Sequence, residues 1–275
     1  MIKVIDIRGR AARQTPEGSI HTVLGPSAEG TRVEVSLIDL PQGATHRLSP
    51  SDRTRVAYLL EGANATITHT TSDTTASYEA RRRTGIYLEP TEEATISAAS
   101  ALVLLLVTVP KHSGKPTGDE PATGYFFDES RLRMLVDEKG FRKRTFWVNK
   151  ETGLSNAWDL QIGRMTYEAH AHSPRHVHHA SNTSPVVPEH FYLIEKGTGE
   201  VRHDGGSLAV GPGSLVLIPS GEWHQLLASE TGFDYIEFQA PFDFVTTMDH
   251  DPLGKNWYIH GTDDGSGKPQ RWVQS

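Results

Sequence analysis

Two histidines one residue apart, His176 and His178, sit in the run Arg175-His176-Val177-His178-His179. Side chains alternate along an extended strand, so the pair points to one side. A third, His190, precedes the apolar run Phe191-Tyr192-Leu193-Ile194, and a fourth, His224, closes a turn segment running from Gly213 through Pro219 and Gly221. Neutral imidazole is the commonest protein ligand for first-row metals, so this set can converge on one divalent ion such as Fe, Ni, Mn or Zn. Three or four uncharged ligands leave such a site net positive, which favours an anionic oxygen substrate in a remaining position. Iron there suits O₂ activation on a chelated enolate or catecholate. Nickel, manganese or zinc suits Lewis-acid isomerisation, decarboxylation or hydrolysis.

Proton transfer needs a further group, and the catalytic candidates are Glu237 and Tyr192. Glu237 lies within the apolar stretch Tyr235-Ile236-Glu237-Phe238, where a buried carboxylate needs a partner or a raised pKa. Arg164 and Arg175 are candidates to pair an anionic substrate group, with Tyr167 and Trp223 beside them as substrate-binding residues. A rival His-x-His stands at His170-Ala171-His172, suited to a polar mouth or to carrying protons. His179 reads as a solvent-facing or supporting group. His203, His250 and His260 stand alone and read as structural.

The elements that must position these residues are short strands. Arg32 to Leu40 alternates; Arg55 to Glu61, Ala65 to His69, Gly85 to Glu89, Ala94 to Ile96 and Ala101 to Val109 follow, broken by Gly, Pro and Asp. In the second half, Phe146 to Val148, Ser155 to Ile162, Gly163 to Tyr167, Phe191 to Ile194, Gly213 to Ile218 and Phe233 to Gln239 repeat the pattern. Strands at this spacing predict a sandwich or barrel. Tyr58-Leu59-Leu60-Glu61-Gly62 matches Tyr192 to Gly197 with one residue fewer, and Gly85 to Pro90 stands where Gly213 to Pro219 stands. The chain therefore reads as an internal duplication. Lys111 to Thr123 is polar and rich in Gly and Pro, as a linker would be. Asp128 to Lys139 is expected to be helical, with Leu132, Leu135 and Val136 on one face and Gly140 as its stop. The tail from Pro241 is expected to pack without a regular element of its own.

These residues resemble the cupin family. Gly213, Pro219, Gly221 and His224 reproduce the second half of its signature without a gap. The first half has His-x-His, a loop, an acidic residue, six residues, then Gly. His176 and His178 supply the pair and Gly197 the terminal glycine, which places His190 where the family usually has Glu. Glu189, next to it, is the alternative ligand. The loop after His178 is longer than the family's. The resemblance implies an all-β fold of two tandem cupin (double-stranded β-helix, jelly-roll) barrels with a short helix between them. Its parts would be an N-terminal barrel over residues 1–112, a linker and helix over 113–145, a metal-binding barrel over 146–245 and a tail over 246–275. The N-terminal copy has no His-x-His before Tyr58 and no His in the segment that follows Pro90, Thr91 to Pro110, so it cannot assemble a metal site.

The resemblance further implies an enzyme, of dioxygenase type, acting on a small oxygen-rich acid, enol or catechol-like molecule. A non-redox lyase, isomerase or hydrolase in the same pocket is one alternative, and a ligand-sensing or storage protein with a structural metal is another. Cupin barrels often pair by their outer sheets, so a homodimer is an expected partner state. Composition narrows the field. A formal charge of −7 over 275 residues gives no basic surface for nucleic acid. The absence of cysteine removes disulfides and thiolate chemistry and fits a reducing compartment. The N-terminal run lacks a signal-peptide core, and Ala101 to Val109 is too short to span a bilayer. The expectation is a cytoplasmic protein that does not meet the membrane.

Overall fold

Runs rich in Val, Ile, Leu, Thr and aromatic residues, punctuated by glycine turns, fold here as antiparallel strands in almost every case. The computed structural model describes residues 1–111, 123–149, 158–182, 186–249 and 256–272. The chain divides into two units, one formed by 7–131 and the other by 1–6 together with 132–275. This partition differs from the boundaries expected from sequence, because the first strand of the chain, Lys3–Asp6, pairs with Ser214–Ile218. Most of the expected linker lies outside the described residues. Among the described residues, no helix is long and apolar enough to cross a membrane.

The N-terminal unit consists of a 7-stranded and a 4-stranded sheet. Ala57, Leu59, Ile67, Ile86, Leu88, Ile96 and Leu104 share one aliphatic cluster. In the larger sheet the strands Thr84–Leu88, Arg53–Glu61, Leu102–Pro110 and Glu34–Leu40 lie side by side in that order. The other unit carries the same succession in Ser214–Ile218, Glu189–His203, His224–Ala240 and Gln161–Tyr167. The repeat seen in sequence is therefore a repeat of strand topology.

In that second unit the two long strands, Glu189–His203 and His224–Ala240, form the spine. They pair with register shifts between Ile194 and Lys196 and between Gly197 and Gly199. Such shifts bend a strand and raise its twist, which lets one continuous strand turn a corner of a barrel. The barrel interior receives Tyr192, Ile194, Val216, Ile218, Leu226 and Tyr235.

The expected helix over 128–139 does not form. A 3₁₀ turn spans Glu129–Arg131, and Met134–Asp137 is a strand paired with Arg142–Val148 through a turn at Gly140. Leu135 and Asp137 are buried while Met134 and Val136 are less so, the period of a strand rather than of a helix. Sheet pairing has overridden a short, weak helical spacing. The only α-helix among the described residues is a single turn at Pro26–Glu29. The tail is also more regular than expected. Phe244–Met248 pairs with the histidine strand His176–Ala180, and Trp257–Ile259 and Arg271–Trp272 extend the sheet edge.

All three glycines of the signature have left-handed backbones, Gly197 at φ 71°, Gly213 at φ 86° and Gly221 at φ 82°. A Cβ on Gly197 would meet the Gly232 carbonyl well inside van der Waals contact, whereas one on Gly221 would meet nothing within 4 Å. Gly221→Ala should therefore cost only the left-handed penalty, about 1–2 kcal/mol. Gly197→Ala should cost clearly more, because backbone must move as well. Denaturant midpoints of the two variants test this; equal losses would refute it.

Candidate metal centre

The strand His176–Ala180 places His176 and His178 on one face, and its register sets His176 directly opposite His224. Directly opposed residues hold their Cβ atoms about 4.5–5.5 Å apart. The His176 and His224 rings accordingly lie 4.2 Å apart between centroids. The turn that carries Gly221 is fastened to the same strand, since both the Gly221 N–H and the Ser220 hydroxyl donate to the His178 carbonyl at 2.9 and 3.0 Å. One potential ligand atom from each of His176, His178 and His224 falls within 4.8 Å of the others.

The hydrogen bonds fix which nitrogen is free. His176 Nδ1 donates to the Pro174 carbonyl at 2.8 Å and His224 Nδ1 to the Glu222 carbonyl at 2.9 Å. His178 Nδ1 lies 2.9 Å from the Thr246 hydroxyl. Each ring thus turns its Nε2 lone pair inward, the arrangement by which outer partners orient metal-binding imidazoles. Two of these lone pairs already face neutral donors. The Tyr192 hydroxyl is 3.1 Å from His224 Nε2, and the Gln239 amide nitrogen is 3.4 Å from His178 Nε2. Burial lowers His176 to about 4, against the raising effect of its bond to Pro174. Burial, followed by the neighbouring imidazoles, holds His178 and His224 well below the ordinary value. Three neutral, oriented imidazoles suit a divalent cation.

His190 is outside that group of ligand atoms although its ring lies 4.5 Å from that of His178 and 5.6 Å from that of His224. Its Nε2 donates to Glu237 Oε1 at 3.0 Å, and the Gln239 amide lies 2.9 Å from the same nitrogen. The carboxylate holds this ring through Nε2, and its Nδ1 faces the Tyr192 hydroxyl at 3.5 Å, so a fourth ligand expected from sequence at this position would have to bind through Nδ1. Glu189 precedes it on the same strand and by alternation takes the opposite face. Glu237 is gripped on its other side by Arg144, whose Nη2 donates to Oε2 at 2.9 Å. Burial pushes Glu237 up, but the Arg144 charge and the His190 bond outweigh it and bring the carboxyl down to about 2. It is an ionised acceptor, not a neutral acid. Burial, and then the charge of Glu237, pushes the Tyr192 phenol well above its ordinary value, so Tyr192 stays protonated.

A cavity of about 580 Å³ opens beside the trio, lined in part by His176, His178, Tyr192, Glu237 and Gln239. Tyr167 lines it as well. The other proposed substrate contacts lie elsewhere. Arg164 is not on the lining and is ion-paired with Glu195. Arg175 pairs with Asp204 and Asp249 and stacks over the Trp223 ring at 4.6 Å, so these two residues support each other outside the cavity. Arg142 and Arg144, which sequence reasoning passed over, are on the lining instead. Their signal was the alternation Arg142-Lys143-Arg144-Thr145-Phe146, two arginines on one face of a strand. Of the rival pair, His172 bonds to its neighbour Ser173 and to Gln225 and does not join the cluster.

Comparison with known proteins places this geometry. Residues 162–238 match the AraC-like ligand binding domain family. The chain superposes on an oxalate decarboxylase from Lactobacillus farciminis in complex with formate, with TM-score 0.70, 13% identity, and 89% of this chain and 88% of that one covered. The fold is that of the cupins. A Bacillus subtilis oxalate decarboxylase, described with Mn(II) centres, gives TM-score 0.67 at 13% identity, covering 89% of this chain and 78% of that one. Protein Ylba from E. coli gives 0.65 at 15% identity, covering 87% and 90%. No curated protein matches the sequence. Identities this low carry the cupin fold and leave the chemistry to the residues themselves.

A pH dependence follows from the buried trio. The unfolded chain titrates histidine near about 6.5. The folded protein keeps His176 neutral down to about 4. Between those values the unfolded state binds more protons, so stability is fully present above about pH 6.5 and is lost as pH falls. The denaturant midpoint of chelator-stripped protein should drop between about pH 7 and pH 5, and the drop should be shallower in the His176→Asn/His224→Asn variant. Identical pH profiles for the two proteins would contradict the assignment of neutral buried imidazoles.

Proposed function

We propose that this protein is a metal-dependent cupin enzyme whose C-terminal unit holds one divalent ion on His176, His178 and His224. Its substrate is a small oxygen-rich acid, enol or catechol-like anion. The observation that carries this reading is the convergence of three imidazoles whose Nδ1 atoms are all engaged outward. A bound ion would supply Lewis acidity there and, as iron, redox capacity toward O₂. Within the chain, Tyr192 is placed to donate a proton beside the ion's position, from a hydroxyl 3.1 Å from His224 Nε2. Glu237 fixes His190 and keeps a negative charge next to the cavity, where it opposes a second anion unless Arg144 neutralises it. Gln239 aims its amide at the same corner and can donate to a substrate oxygen.

We favour a dioxygenase-type reaction, because a substrate chelating through two oxygens needs open positions and three histidines leave them. A non-redox decarboxylase is the second reading, supported by the Mn(II) centres described for a fold neighbour. Protein purified without a metal-affinity tag should contain near-stoichiometric metal, and the His176→Ala/His224→Ala variant should contain none while remaining folded. Full metal retention in that variant would overturn the site. Iron with substrate-dependent O₂ uptake supports the dioxygenase; manganese with CO₂ release and no O₂ uptake supports the decarboxylase.

A further inference from the structure

The cavity is larger than a two-carbon diacid requires, and its walls are of two kinds. At about 580 Å³ it falls within the roughly 300–1,000 Å³ range of sites that enclose whole organic ligands. Beyond the histidines its lining includes the rings of Trp158, Phe242, Phe244, Trp257 and Trp272. Oxalate would leave these apolar faces in contact with trapped water. Three guanidinium groups, Arg142, Arg144 and Arg271, share the lining with the carboxylates Glu237 and Asp243. Arg142 donates through Nε to Asp137 at 2.8 Å, and Arg271, on an exposed stretch, donates to Asn256 at 2.8 Å.

Arg144 differs. Its Nε faces the Met165 sulfur at 2.8 Å and its Nη2 donates to Glu237 at 2.9 Å. Its planar head packs over Phe146 at 5.0 Å and over Trp257 at 5.1 Å. The head is therefore fixed in position, yet its Nη1 has no protein acceptor among the described residues, and the side chain is 19% exposed. A rigid guanidinium with a spare donor on a cavity wall is a carboxylate receptor, and Trp257, which packs against both Arg142 and Arg144 and lines the same wall, supplies apolar surface for whatever carries that carboxylate.

We infer that the substrate is a ring-bearing carboxylate, with its acid group on Arg144, its ring against Trp257, and its oxygen donors toward the histidines. This rests on the metal-site reading for the oxygen donors alone. Trp257 comes from the tail strand Trp257–Ile259, so the tail sets specificity while the barrel supplies the metal ligands.

Tryptophans line the cavity, so ligand binding can be read by fluorescence quenching as well as by calorimetry, on the full chain loaded with manganese or zinc. The probes are 3,4-dihydroxybenzoate, catechol and oxalate. In the unaltered protein 3,4-dihydroxybenzoate should bind at least tenfold more tightly than either of the others. Arg144→Met should erase the advantage of the acid over catechol without changing metal content. Trp257→Leu should weaken both ring ligands at least fivefold and leave oxalate unchanged. Because Arg144→Met strands a buried carboxylate and can unfold the unit, Arg144→Lys is the companion: it keeps the charge beside Glu237, loses the spare planar donor, and should reduce the advantage. An undiminished advantage in Arg144→Lys, or oxalate binding as tightly as the ring acid, overturns the inference. Metal analysis of the same samples separates the two readings. If the protein holds no metal, a preference for benzoate over phenol that depends on Arg144 still supports the carboxylate receptor, and its absence refutes it.

Discussion

A carboxylate buried between a guanidinium and an imidazole holds the cavity floor together. Glu237 is only 9% exposed, with Arg144 on one oxygen and His190 on the other. An ion taken from water into a protein interior loses several kcal/mol of solvation, and only good geometry on all its oxygens recovers it. Arg144 recovers most of it, and is itself kept in place by two rings and a thioether. His190 then has its Nε2 committed to the carboxylate, Gln239 is set beside it, and the imidazoles of His176, His178 and His224 face one another. Removing Arg144 would expose the weakness of this arrangement, because an unpaired buried charge costs about 3–5 kcal/mol.

The two units show what that arrangement requires. Both present the same four-strand succession, so backbone topology alone does not create the site. In the N-terminal unit Ala57, Leu59, Ile86, Leu88 and Leu104 pack into one aliphatic cluster, and buried aliphatic side chains contribute stability. In the other unit, the corresponding space holds histidines, a tyrosine and an ion pair, each satisfied by a hydrogen bond. Such a core gives up apolar burial for polarity that must be completely paired. The outward Nδ1 bonds to Pro174 and Glu222 and the contact of His178 with Thr246 are the local terms that make it tolerable.

Much of this was legible in sequence. His176 and His178 share a face by alternation alone, and the Gly-Pro-Gly spacing before His224 fixes a strand that must return to them. The strand succession of both units was also legible, because turn residues interrupt the apolar runs so regularly. What failed did so for parity and distance. Arg164 and Tyr167 were both placed toward the substrate, but residues three apart on a strand face opposite sides; Tyr167 lines the cavity and Arg164 turns to Glu195. Arg144 and Glu237 lie 93 residues apart, and nothing local to either announces the other. The helix expected over 128–139 rested on three apolar positions, too few to resist a hairpin partner that buries Leu135.

The donors that face the trio bear on what the site is for. The Tyr192 hydroxyl and the Gln239 amide point hydrogen toward two imidazole lone pairs, at 3.1 and 3.4 Å. A site evolved only for packing would have no need to leave three basic nitrogens converging, since a single tautomer change would let the rings bond one another. Here that change is blocked, because each Nδ1–H of His176 and His224 is committed to a backbone carbonyl that can only accept. Two weak donors are what remains to satisfy the lone pairs, and a divalent cation is a far stronger Lewis acid than either. Binding one would release the Tyr192 hydroxyl from His224 and leave it, still protonated, beside whatever oxygen enters the cavity.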